Sequence, residues 1–216
     1  MKTCRLAIVA AATAAVFAAA PVYAQHAEHS APQATTATQT SAALRDLWIG
    51  HIFWVRNVAL ETFAGNTEAA AAAEQQVVAN AQQIAATIEP FYGKAASDQL
   101  FQLLAKHYGA VKAYLSANVA GDKAKQDAAY SDLARNAADI ARFLSGANPN
   151  LPYDTVNALL LAHGAHHVKQ IQQLHAKEYA AEAETWAAMK KHMYAISDAI
   201  AVAIVKQFPA KFSANA

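Results

Sequence analysis

From about residue 42 to the C-terminus, apolar residues recur at steps of three and four, the period of a helix with one buried face. Leu47, Trp48, His51, Val55 and Val58 form one such stripe. Leu103, Leu104, His107, Val111 and Tyr114 form a second, and Leu159, Leu160, His163, His167 and Ile171 a third. Alanine, the strongest helix former, fills much of the space between them. The histidines at the centres of the stripes, His51, His107 and His163, are 56 residues apart each time.

A second series keeps the same step. Asn80, Asn136 and His192 are each followed by isoleucine four residues later, at Ile84, Ile140 and Ile196. Recurrence at a fixed period marks a repeated supersecondary unit. Here the unit is a helix pair whose turn falls midway between the two series. The midpoints are Gly65-Asn66 and Gly121-Asp122, pairs that end helices and form tight turns, and Lys177-Glu178, which holds no breaker. Between units the midpoints fall at Gly93-Lys94 and Pro149-Asn150. The predicted fold is all-α: a six-helix up-and-down bundle of three antiparallel hairpins, a single domain over residues 43–212 with a short tail at 213–216. Residues equidistant from a hairpin turn lie at equal height. His51, Asn80, His107, Asn136, His163 and His192 are therefore expected in one polar layer at mid-height.

The chain's beginning changes the picture of where this bundle resides. Lys2 and Arg5, the apolar run Leu6 to Ala20 and the small-x-small triplet Val22-Tyr23-Ala24 have the three parts of a secretory signal over residues 1–24. The sequence thus predicts a periplasmic or secreted protein that does not insert into the membrane after cleavage. Residues 25–42, rich in Ala, Thr and Gln, are expected to be a flexible leader. The only cysteine, Cys4, lies in the cleaved part, so no disulfide is expected. Loss of Lys2 and Arg5 leaves 15 basic against 16 acidic residues, which argues against a nucleic-acid partner.

The segments "LRDLWIGHIFWVRN", "NAQQIAATIEPFYG", "RNAADIARFLSGANPN" and "KQFPAKF" resemble, in order and over roughly Leu44 to Phe212, a functionally uncharacterised family of small all-helical bacterial proteins. The resemblance implies a helical fold and no particular activity. It places His51, Arg56, Asn80, Tyr92, Gly93, His107, Asn136, Asn148, Pro149 and His163 at the family's recurrent positions. Gly50 stands where that pattern has an acidic residue and His167 where it has threonine.

Two accounts of the histidines remain open. In one, each asparagine amide bonds an imidazole and the layer simply fixes helix register. The protein is then a non-catalytic binding or interaction module whose mid-height layer binds a small molecule, a metal or nothing. In the other, His163, His167 and His192 bind a transition metal, copper or zinc. The first two project from one helix face a turn apart, with Met189 and Met193 beside His192 and Gly164 leaving room next to His163. His107 or Asn136 would orient a ligand. A non-covalent haem between two level histidines is a further alternative. His26 and His29 in the leader are a weaker metal-capturing pair. Arg56 is expected in an ion pair, and Pro90 and Gly93 are expected to end a helix, Gly93 as a left-handed cap. No phosphate loop, nucleophile elbow or C-x-x-C-H motif is present to point to an enzyme class or a c-type haem.

Overall fold

A computed structural model describes residues 36–212. The signal segment, Cys4, His26, His29, leader residues 25–35 and the tail 213–216 lie outside the described residues.

Six long helices and one short one follow in order: α1 (Ala37–Ala64), α2 (Thr67–Ala86), α3 (Glu89–Tyr92), α4 (Lys94–Val119), α5 (Lys123–Ala147), α6 (Tyr153–His175) and α7 (Tyr179–Gln207). A 3-10 turn at Pro209–Lys211 closes the described chain, and no strand occurs among the described residues. The fold is an all-α bundle. Helix α1 begins inside the segment expected to be leader. Thr36 caps it, accepting from the Gln39 amide while the Gln39 side chain accepts from the Thr36 N–H. Ser41 and Arg45 then tie its first turns to Asp198 of α7.

Helices α1 and α2, α4 and α5, and α6 and α7 pack as hairpins. Contacts of α2 with α4, α5 with α6, and α7 with α1 close these hairpins into a ring. The first arms, α1, α4 and α6, also touch one another, so they line the centre. Here the three histidine-bearing stripes meet.

All three hairpin turns close in the same way. Gly65, Gly121 and Lys177 have φ of 76°, 67° and 59°. In each, the following N–H donates to the carbonyl five residues back: Asn66 to Glu61, Asp122 to Ala117 and Glu178 to Gln173. This bond pattern captures helix-end carbonyls through a left-handed residue. The third turn, which the sequence left without a breaker, is therefore a true turn. Lysine takes the strained conformation there.

At the opposite end, Ile88 leads into α3 and Pro90 sits in its first turn, where its missing N–H is no loss. Gly93 does not form the expected left-handed cap. At φ 83° and ψ 169° it is extended, in a region nearly reserved for glycine. Tyr92 closes this end: its hydroxyl donates to Gln207 Oε1 at 2.7 Å and accepts from Asn148 Nδ2 at 2.9 Å.

Candidate metal centre

The second arm of each hairpin is strapped to the first by one side chain. Asn80 Nδ2 donates to the Leu47 carbonyl at 3.0 Å, and Asn136 Nδ2 to the Leu103 carbonyl at 3.0 Å. His192 Nε2 meets the Leu159 carbonyl at 2.8 Å. A carbonyl only accepts, so His192 carries its proton on Nε2. Each strap lands one turn before a central histidine. The asparagine N–H groups thus go to backbone carbonyls, not to the imidazoles as a histidine–asparagine girdle would require.

The imidazoles instead gather together. His51 on α1, His107 on α4, and His163 and His167 on α6 each offer a donor atom within 4.8 Å of all the others. All four residues are buried, with exposures of 5, 5, 2 and 2%. The six ring-to-ring distances run from 4.5 Å, for His163 with His167, to 5.8 Å. Four imidazoles bound tetrahedrally to one ion at 2.0–2.1 Å would have centroids roughly 5 Å apart and nitrogens roughly 3.3 Å apart. The rings already hold that spacing. His167 Nε2 and His163 Nε2, at 3.2 Å, hold the nitrogen spacing as well.

Their polar atoms are poorly satisfied. His163 and His167 share one hydrogen bond between their Nε2 atoms. His51 Nε2, His107 Nε2 and His163 Nδ1 are buried with no hydrogen-bond partner. Buried polar atoms are seldom left so, and an orphan costs about 1–3 kcal/mol. His163 can move its proton to the free Nδ1 and so present Nε2 as a lone pair.

Burial also keeps these rings neutral. Desolvation, reinforced by His107, pushes the His51 pKa down to about 3. Desolvation lowers His107 to about 4, opposed by Asn136, whose amide lies near enough to favour the charged ring. His163 and His167 are held well below the ordinary value, first by desolvation and then by the neighbouring imidazoles. Neutral imidazole is the form that ligates a metal.

The structure brings His163 and His167 together with His51 and His107, but His192 does not join them. Its Nε2 is fixed on the Leu159 carbonyl, and its ring lies beside that of His166, tilted by 34° with centroids 5.4 Å apart. Met189 and Met193, fully buried, pack among Trp48, Ile52 and Leu104 as core. Gly164 leaves no room for a ligand, because a Cβ there would lie 3.0 Å from Leu133. A Cβ at Gly50 would lie 3.1 Å from Asn80 Nδ2, so the glycine accommodates that strap. Arg56 forms a two-pronged pair with Glu182 of α7 at 2.6 Å, and Gln170 donates to the same carboxylate at 3.0 Å. Glu182 is not singled out in the sequence, and His166 is read there only as one of the imidazoles of "HGAHH" belonging to the buried polar layer, whereas it is partly exposed. His166 had a visible sign, standing beside His167; Glu182 lies in a turn of α7 with no apolar pattern of its own.

Comparisons of the chain with protein families, with curated proteins and with solved structures find no match.

Proposed function

We propose that this chain is an exported helical-bundle protein that binds a transition-metal ion through His51, His107, His163 and His167. The observation carrying this reading is four buried imidazoles with donor atoms within 4.8 Å of one another, three of whose rings hold a nitrogen with no hydrogen-bond partner. A purely structural layer would leave these nitrogens bonded. The donor set is all imidazole nitrogen, which suits copper and zinc, and copper binds nitrogen sites more tightly than zinc. No carboxylate belongs to the set. The ion's charge is therefore balanced only by the dipoles of its ligands, which limits affinity for hard cations. Asn136 would keep the His107 ring oriented through its other edge. A haem is disfavoured, since the imidazoles fill the centre by touching one another and leave no slot for a macrocycle.

One hydrogen bond, between His163 and His167, favours the alternative of a register-fixing polar layer in a binding or interaction module. Titration separates the two. Mature protein carrying His26→Ala and His29→Ala should bind one copper(II) or zinc ion tightly, with His51→Ala and His167→Ala each weakening that binding by at least about tenfold. At a hundredfold excess over Kd the metal should add about 2.7 kcal/mol of stability. Equal tight binding in all three proteins, or none in the parent, would leave the polar layer as the better account.

A further inference from the structure

His192 does a task that asparagine does twice in the same molecule. Asn80, Asn136 and His192 each span 33 residues to donate to a leucine carbonyl. Asparagine suffices for that bond, so the strap alone gives no reason for histidine in the third hairpin. What histidine adds is a second ring nitrogen. With Nε2 donating to Leu159, His192 Nδ1 is left as a bare lone pair.

His166 is arranged in the complementary way. Its Nδ1 meets the Ala162 carbonyl at 2.8 Å, which fixes the proton on Nδ1 and leaves Nε2 as the lone pair. Both residues are partly exposed, unlike the four central histidines. Their ring centroids are 5.4 Å apart with planes inclined at 34°. Two imidazoles on one tetrahedral ion at 2.0–2.1 Å would stand roughly 5 Å apart. The equivalents of His166 one and two repeats earlier are Ala110 and Trp54, and those of His192 are Asn136 and Asn80, so the histidine pair exists only in the third hairpin.

We propose that His166 and His192 form a second, solvent-facing metal site on the α6/α7 seam, where a zinc-like or copper(II) ion is captured before it passes to the buried centre. The handover rests on the four-histidine reading; the seam site does not. His166 neighbours His167 in the chain, so an ion held at the seam lies beside the helix turn that presents His163 and His167. Transfer is ligand exchange alone. Bonds from the ion to His166, His192 and water break as bonds to the buried nitrogens form, and the ion's oxidation state does not change. The seam supplies only two protein ligands, so its affinity falls below that of the buried four. The rival approach is the open groove of about 340 Å³ between α4 and α5, which reaches Asn136. That groove offers no imidazole, and its Asp132 and Asp139 are already paired with Arg135 and Arg142.

Cobalt(II) tests this, because its visible absorption distinguishes a four-nitrogen tetrahedral centre from a hydrated ion. The protein is the mature chain with His26→Ala and His29→Ala. The parent should bind two cobalt ions and develop the tetrahedral bands. His166→Ala with His192→Asn, which keeps the strap, should bind one ion and reach the same bands at least tenfold more slowly. His192→Asn alone should show the same direction, should the double variant fold poorly. His51→Ala with His107→Ala should keep one weakly bound ion and show no bands. Two ions and the parental rate in the seam variants would overturn the proposal. Bands absent from every protein, with one ion lost only in the seam variants, would overturn the four-histidine reading and the handover together and leave the seam site standing.

Discussion

In the first two hairpins a central histidine is accompanied by an asparagine strap and a glycine turn: His51, Asn80 and Gly65, then His107, Asn136 and Gly121. The third has His163 with a histidine strap at His192 and a lysine turn at Lys177. It also adds His166 and His167 and the buried Glu182. The scaffold is held by the same bonds in all three. What differs is that the third hairpin replaces residues suited only to folding with residues that carry lone pairs, charge or strain. Sequences that break local rules tend to do so where function is placed. On the proposed metal-binding reading, the third hairpin supplies two of the four central histidines and the first two hairpins supply one each.

The largest effect that tests this contrast is acid destabilisation of the metal-free protein. The folded pKa values of His51 and His107, about 3 and about 4, lie below the ordinary 6.5. The unfolded chain therefore binds more protons at acid pH. The stability these groups contribute is full above pH 6.5 and falls as pH drops from there toward their folded values. Each loses about 1.4 kcal/mol per pH unit in that window, so the total reaches several kcal/mol by pH 4.5. The third hairpin's pair, held well below the ordinary value, should add to this, and His167→Leu should reduce the slope. Urea midpoints measured from pH 7.5 to 5 check it. That window lies above the range of Asp122 and Asp198, whose pKa values are lowered by their partners Lys125 and Arg45. A midpoint unchanged between pH 7 and 5 would mean that the rings are not neutral and buried.

A smaller effect compares the straps directly. Asn136→Ala removes the donor to the Leu103 carbonyl and the amide beside His107, and should cost about 1–2 kcal/mol. His192→Asn copies the strap of the other hairpins and should change stability by no more than about 0.5 kcal/mol. Thermal unfolding of the two metal-free variants decides this. Comparable losses would show that His192 is tuned for packing, and the case for its second nitrogen would weaken.

The period of the apolar pattern was enough to read the helices and their pairing, because each amphipathic stripe must find a partner. The tilt of the hairpins about the central axis left no such trace. It decides that α1, α4 and α6 face inward, which brings His51 and His107 to His163 and His167 and leaves His192 at the seam. Height alone could not distinguish those two outcomes: His192 and His163 were placed in one layer, and nothing in the spacing said on which side of α7 the ring would sit. The start of α1 was hidden for a local reason. Its capping box uses Thr36 and Gln39 within a Thr- and Gln-rich stretch whose composition reads as unstructured.

The smallest effect concerns the turns. Lys177 is exposed and takes φ 59°, as Gly65 and Gly121 take 76° and 67°. A residue with a Cβ pays roughly 1–2 kcal/mol for this left-handed conformation, while glycine is free of that strain. Lys177→Gly also loosens the unfolded chain, which offsets part of the gain. The net expectation is a stabilisation of about 0.5–1 kcal/mol and a Tm increase of about 2 °C. Gly121→Ala should move the other way by a similar amount, because it places a Cβ where the first two hairpins avoid one. The turn bond from Glu178 to Gln173 uses backbone atoms only, so it survives the substitution. Differential scanning calorimetry of both variants is sensitive enough to measure these shifts. If Lys177→Gly lowers Tm, the lysine side chain contributes something that offsets its strain, and the third turn is then not a strained copy of the other two.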